Sequence, residues 1–400
     1  MLSPASPRGP LFLLKPIHLK KKEERRVQRG HPWIFSNEIS DPLSSFAAGE
    51  LVDVLDHASR FIGRGYINPH ALIAIRIISR HQDQIDLRFF RTRIAAAREI
   101  RVRLGFGDSF RALFSEGDGI PGLIVDKYAD TLVVQSLTAG IEALLEVIVT
   151  ALREEYAPAV IVFKNDSAAR ELEGLPRETR VALGSLDGPV HFEESGITYR
   201  IDVLEGQKTG FFFDQRENRQ ALKGLVGGRR VLDCFCYVGA WSLTAARFGA
   251  AEVTGLDSSQ RAVDLAVQNA NLNGLPARFI TADVFEELRK RDKNKERFGC
   301  IILDPPAFVK SRAKVREALR GYKEINLRAL RLLQPGGLLV TCSCSHHIDA
   351  DLFREMLIDA AHDAGRQTSL LEMRSQARDH PSQIAARETN YLKCAYLIAQ

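Results

Sequence analysis

The hydrophobic pattern changes its period along the chain, and the changes mark the expected domains. Between Leu11 and about Arg80, short segments such as "ELVDVLD", "FIGRGYIN" and "ALIAIRIIS" alternate apolar and polar positions between Gly, Pro, Asn and His. Period-two patterning bounded by turn residues predicts a small β-rich module over 11–85. Residues 86–104, "DLRFFRTRIAAAREIRVRL", switch to helical spacing with arginine on the other faces, so a helix leads out of that module. The hairpin pattern "GLIVDKYADTLVVQSL", the amphipathic "GIEALLEVIVTALREEY" and the buried-strand pattern "AVIVFKN" then predict a small α+β middle domain over 86–205. "GDGIPG", just before that hairpin, is turn chemistry.

From residue 206 strands and helices alternate. "RVLDCF", "EVTGLD", "ARFITAD", "GCIILDPP" and "GGLLVTCSCS" are five short apolar runs, each beside a helical segment. The fold class is therefore α/β, with a doubly wound domain over 206–400. Ligands of such sheets sit at the carboxyl ends of the strands. Those ends carry Asp233, Asp257, Asp283, Asp304 and the pair Cys342 and Cys344, so the pattern itself gathers polar groups on one rim.

Composition narrows the picture only modestly. At 400 residues, 45% hydrophobic and 26% charged, the chain is an ordinary globular protein with room for two or three domains. No run approaches the roughly 20 apolar residues that cross a bilayer, and the first residues lack a secretory signal, so no membrane partner and a cytoplasmic address are expected. The opening ten residues, rich in Ser and Pro, read as a loose tail. Six cysteines without framework spacing are expected as thiols. The net charge of +5 is mild, but "HLKKKEERRVQRGHP" concentrates basic residues near the start, either as a solvated face or as a phosphate grip.

The rim carries the chemistry. "DCFCYVGAWS" has one glycine where a dinucleotide site would want three, and its Asp233 repels phosphate while suiting a cationic, amine-bearing ligand. S-adenosylmethionine has both a sulfonium and an amino group. Gly239 would let the turn approach such a donor, Phe235 lies in the same turn, Asp257 would accept the ribose hydroxyls, and Asp283 lies in reach of the adenine amine; each carboxylate has helix capping as its alternative role. In "LDPPAF", two prolines fix Asp304, while Pro305 and Phe308 would contact a base, Phe308 by stacking. The ordered set resembles the motifs of class I S-adenosylmethionine-dependent methyltransferases.

Two thiols follow on the next strand. Methylating carbon 5 of a pyrimidine requires a nucleophile to add at carbon 6, and a thiolate can do this while a carboxylate holds ring nitrogen 3. In an extended strand Cys342 and Cys344 face the same way, so geometry does not choose between them. Buried filler and a zinc site with Cys234 and Cys236 are the other readings, the latter at the wrong spacing, so no metal is expected. His346 or His347 could tune the thiol.

With "EGQKTGFFFDQRENR", "VLDCFCYVGAWS", "LDPPAF" and "SCS" in this order, the chain resembles the bacterial 23S ribosomal RNA cytosine-5 methyltransferases that carry an N-terminal PUA domain. "RGHPWIFSNEI" is similar to the first strand and helix of that PUA module, and "FSEGDGIPGLIVDKYADTLVVQ" to the middle domain. The resemblance implies a Rossmann-like class I methyltransferase domain behind a PUA-like RNA-binding domain, S-adenosylmethionine as cofactor and 23S ribosomal RNA as partner. It places the nucleophile at Cys344 and leaves Cys342 as an added thiol. Pro306 and Ala307 stand where another branch places a second cysteine, so the group that removes the carbon 5 proton is unassigned. Within "GQKTGFFFDQRENR", Gln207, Thr209 and Arg216 are expected near the donor around a phenylalanine core, the alternative being a domain-joining hairpin with a helix capped by Asp214. Tyr237 is a further stacking candidate. Amino methylation of a base and a non-catalytic RNA-binding assembly factor are the rival functions, and a homodimer stays open.

Overall fold

The computed structural model describes residues 14–308 and 314–400, and the tail read at 1–10 lies outside them. The chain forms two compact units.

The first unit takes residues up to Asp187 together with Val203–Thr209 and Asp379–Thr389. Its first sheet orders Lys15–His18, Leu51–Leu55, Phe61–Ile67, Ile73–Ser79 and Trp33–Phe35, packed over Ile17, Val27, Ile34, Val54 and Ile75. "RGHPWIFSNEI" thus supplies the second strand and a single 3-10 turn, Ser36–Glu38, rather than the first strand and a helix. The first strand is the four-residue Lys15–His18, too short and too close to the basic run to show a pattern. The second sheet orders Glu178–Leu183, Val160–Asn165, Thr131–Ser136, Leu123–Tyr128 and Phe110–Phe114. Helix Leu87–Arg103 packs on it, capped by Asp86, whose carboxylate accepts from the Phe89 N–H at 3.0 Å. Arg101 on that helix is fully buried and bidentate to Asp118 at 2.6 and 2.7 Å. Removing one partner of such a pair costs about 3–5 kcal/mol.

The two sheets share a core, although the sequence reads as two domains. Tyr66 of the first sheet lies in the second sheet's apolar cluster and donates to the Pro121 carbonyl at 2.7 Å. A side chain at Gly140 would sit 2.0 Å from the Tyr66 ring, so only glycine admits this contact. Trp33 Nε1 to Glu116 at 2.8 Å and Arg76 to Glu173 at 2.8 Å add polar ties.

The second unit holds Gly188–Asp202, Gly210–Arg378 and Asn390–Gln400. Its seven strands are β1 (Arg230–Cys234), β2 (Glu252–Asp257), β3 (Arg278–Thr281), β4 (Phe298–Leu303), β5 (Leu333–Ser343), β6 (Thr368–Arg374) and β7 (Lys393–Ala399), in the order β3-β2-β1-β4-β5-β7-β6. The first five are parallel and β7 runs antiparallel between β5 and β6. Successive residues of β4 enter opposite cores: Ile301 and Leu303 meet helices Val315–Leu332 and Ala350–Ala364, while Cys300 and Ile302 meet Leu222, Val226 and Trp241. Covering both faces explains why these strands read as unbroken apolar runs.

The hairpin Val190–Glu194/Ile197–Ile201 belongs to this unit, so the expected boundary at 205/206 moves to 187/188. A two-stranded sheet cannot bury itself. Its Phe192 and Tyr199 pack on Phe211 and Phe213 with ring centroids 4.8–5.5 Å apart, and Asn269 and Asn273 accept its Arg200 and Thr198 amides at 2.7 and 2.8 Å.

Candidate active site at the carboxyl edge of the sheet

Strands β1 and β4 are neighbours, while β2 and β5 lead away on either side, so the chain reverses its winding between them. A crevice forms at such a switch point. Asp233 of β1 and Asp304, one residue past β4, flank it, and the Asp304 N–H donates to the Cys234 carbonyl at 3.4 Å.

Asp233 is fully buried, and its Oδ2 accepts from the Ser242 hydroxyl at 2.6 Å. Among the described residues Oδ1 has no hydrogen-bond partner. Burial above all, with the negative charges of Asp304 and Asp257, pushes this carboxyl up to about 7. A buried acceptor with an open oxygen and no paired cation among the described residues fits an amine-bearing cationic ligand, which would hold it ionised. The turn after it is wound tightly: Phe235 and Tyr237 take positive φ values of 66° and 48°, each costing a non-glycine residue on the order of 1 kcal/mol, and Gly239 takes 86°. The Tyr237 N–H to Asp257 at 2.9 Å and the Asn269 amide to the Val238 carbonyl at 3.1 Å hold it there.

Gly239 also meets a packing constraint in this turn. A side chain there would come within 3.0 Å of Phe279 and 3.2 Å of Ala266, so packing and backbone conformation require the glycine. Asp257 at the end of β2 accepts from Tyr237 and Ser259 N–H groups, both at 2.9 Å, and keeps further acceptor capacity. Asp283 caps helix Val284–Lys293 by accepting from Glu286 at 3.0 Å, which is its alternative role realised.

Three residues expected near the donor have the following surroundings. Thr209 is buried in the first unit with its hydroxyl on Asp126, and Gln207 is exposed in the same Val203–Thr209 segment. Arg216 is buried against Glu194 at 2.9 Å and over the Phe213 ring, a structural ion pair that also takes in Arg219. Asp214 caps no helix; it accepts from the Tyr391 hydroxyl at 2.6 Å.

Two residues that the sequence reading passed over orient Asp304. Gln215 Nε2 donates to Oδ1 and Trp241 Nε1 to Oδ2, each at 2.9 Å. Asn218 donates to Gln215 Oε1 at 2.7 Å and so fixes which end of the amide faces the carboxylate. The one available signal was Trp241 itself, since a buried indole N–H must find an acceptor. Pro305 is buried, and Phe308 is half-buried in an aromatic cluster with Tyr322, Phe285 and Phe235 at 4.6, 5.9 and 6.4 Å.

Burial separates the two thiols where parity could not. Cys342 is a residue of β5 facing the same core as Val340, wholly buried, and burial above all pushes its thiol far up. Cys344 lies one residue beyond the strand and is half-exposed; the other five cysteines are buried. His346 and His347 point to solvent, His346 against the Tyr391 ring at 5.6 Å. Among the described residues no group of three or more His, Cys, Asp or Glu is placed to hold a metal, and no helix is long and apolar enough to cross a membrane.

Comparison with known proteins agrees with this geometry. Residues 17–80 match a PUA-like domain and residues 146–382 an S-adenosylmethionine-dependent methyltransferase family. Over 386 residues the chain is 42% identical to proteins of Shewanella amazonensis and Aeromonas salmonicida, each named ribosomal RNA large subunit methyltransferase I, covering 94% of this chain and 97% of each relative. Among solved structures, a chain from Streptococcus mutans described as a SAM-dependent methyltransferase has a TM-score of 0.82 at 21% identity, covering 96% of this chain and all of that one. Another, described as a methyltransferase complexed with SAH, has a TM-score of 0.83 at 20% identity, covering 97% of this chain and 100% of that one. The methyl donor is S-adenosylmethionine, and the chain belongs to the S-adenosylmethionine-dependent methyltransferase family, in a form that carries an N-terminal PUA-like domain.

Proposed function

We propose that this enzyme forms 5-methylcytosine in 23S ribosomal RNA, in the cytoplasm, through a covalent adduct of Cys344 with carbon 6. One observation carries the reading: of six thiols, the half-exposed one stands just past the end of β5, and β5 pairs with β4, the strand that leads into Asp304. The relatives' name supports the ribosomal RNA substrate.

In this reading the Cys344 thiolate adds to carbon 6, and the ring electrons move to carbon 5. Bound S-adenosylmethionine supplies an electrophilic methyl group. Asp233 faces the donor's amino group and Asp257 its ribose, while Asp283 borders the adenine. Asp304, aimed by Gln215 and Trp241, holds the nitrogen edge of the cytosine, and Phe308 flanks the ring. A base in a helix is out of reach, so the target is unpaired or swung out of the stack. Loss of the carbon 5 proton then expels the thiolate and frees the product. The exposed Lys20, Lys21, Lys22, Arg25 and Arg29 of the PUA-like sheet's basic run grip phosphates, which positions RNA without reading sequence.

The test is Cys344→Ala in a strain lacking the wild-type protein, read by mass-spectrometric mapping of the large ribosomal RNA. We expect 5-methylcytosine to vanish at one position in the deletion strain and to return with the wild type but not with the variant. RNA carrying 5-fluorocytosine at that position should trap the wild-type enzyme, because fluorine at carbon 5 cannot leave as a proton does. Retained methylation by C344A would refute the adduct.

A further inference from the structure

Lys393 opens β7 directly opposite Ser343, the last residue of β5. Its side chain turns inward: the residue is 7% exposed, and Nζ donates to the carbonyls of Ser345 at 2.8 Å and Tyr391 at 2.7 Å. Cys344 is therefore the residue between the one that Lys393 opposes in the sheet and the one whose carbonyl it holds. The ammonium lies in electrostatic reach of that sulfur.

Burying an ammonium on two neutral carbonyls is costly unless an anion faces it. Among the described residues the following groups surround it. Asp349, the exposed cap of helix Ala350–Ala364, acts on it from a distance. Tyr322, on helix Val315–Leu332, shares a 3.0 Å hydrogen bond with the Ser345 hydroxyl and stays a neutral phenol, pushed up by burial. Tyr391 gives its hydroxyl to Asp214, His346 packs on the Tyr391 ring, and Cys342 and Cys394 are buried in the core beneath. Asp304, one residue past the neighbouring strand β4, is already bonded by Gln215 and Trp241.

We propose that Lys393 is a positioning residue that holds Cys344 as a thiolate, placing a buried ammonium near the sulfur and fixing the 343–345 turn through the Ser345 carbonyl. The S–H bond breaks with its electron pair remaining on sulfur, and the proton passes to solvent. Burial pulls the lysine down to about 8, and the charges of Cys344 and Asp349 oppose that fall without cancelling it. The inference rests on Cys344 as nucleophile, but thiol reactivity tests it without methyl transfer.

The measurement is the pH dependence of iodoacetamide alkylation of the folded full-length protein, quantified at Cys344 by mass spectrometry; the five buried thiols stay silent. A free thiol titrates near about 8.5. We expect a wild-type midpoint below that value, a rise of at least about one unit in Lys393→Gln, equivalent to a tenfold slower reaction near neutral pH, and substantial recovery in Lys393→Arg, which keeps the cation. A wild-type midpoint at or above 8.5, or a K393Q profile that superimposes on the wild type, overturns the proposal. Should K393Q fail to fold, the wild-type midpoint still decides. Loss of 5-methylcytosine in C344A alongside an unmoved alkylation profile would sink Lys393 and spare the nucleophile; retained 5-methylcytosine would do the reverse.

Discussion

Replacing Asp233 with Asn should make the donor-free enzyme more stable and unable to hold its donor. A buried carboxyl titrating near 7 in the folded state, against 3.8 in the ordinary range, binds more protons folded than unfolded between those values. Stability therefore falls as pH rises from about 4 to 7, and stays low above that. Three units correspond to about 4 kcal/mol, an upper bound because a buried carboxylate recruits water and relaxes its surroundings. Asparagine keeps the shape, and the Ser242 hydroxyl can donate to it as it does to the carboxylate, so most of that penalty disappears. Thermal unfolding without donor should show D233N melting several degrees above the wild type at pH 7.5, with the gap closing at pH 4.5. S-adenosylmethionine at about ten times the wild-type Kd should raise the wild-type melting temperature at pH 7.5 clearly more than the variant's, and calorimetry should show at least a tenfold loss of affinity. If D233N melts below the wild type at pH 7.5, or binds the donor normally, the orphaned oxygen is not the donor's anchor.

Other perturbations test the rest of the site. Trp241→Phe removes one of two N–H groups that aim Asp304; a hydrogen bond to a charged group is worth about 1.5–3 kcal/mol, so kcat/KM for RNA methylation should fall roughly ten- to hundredfold with donor affinity preserved. Cys342→Ala should keep methylation near wild type and cost about 1 kcal/mol or so by chemical denaturation, since its thiol is core filling. Reversing Lys21, Lys22 and Arg25 to Glu should weaken RNA binding at low salt and flatten the slope of log affinity against log salt, measured by filter binding, with folding unaffected.

What the sequence made legible follows from where each signal is stored. The parallel strands announce themselves because both faces are buried, and the rim followed from their ends: Asp233, Asp257, Asp304 and Cys344 all lie there. Strands β6 and β7 carried no such signal, since Thr368–Arg374 is an edge strand with mostly exposed residues and Lys393–Ala399 lies far from its partners in sequence. Long-range pairing also hid Gln215 and Trp241, which meet Asp304 across 89 and 63 residues. The partners of Thr209 and Arg216 were hidden in the same way. A polar residue beside a binding motif looks available until its acidic partner, Asp126 or Glu194, is brought in by the fold. The merging of the two N-terminal sheets turned on a single steric fact, the bare Cα of Gly140 under Tyr66.

The placement of β7 also bears on biosynthesis. It is the last of the seven strands to emerge from the ribosome, yet it must slot between two that are made earlier. Until it arrives, β5 lacks its antiparallel neighbour, and the Ser345 carbonyl lacks the Lys393 ammonium. The sheet therefore closes out of chain order, its centre filled after its edge has been made.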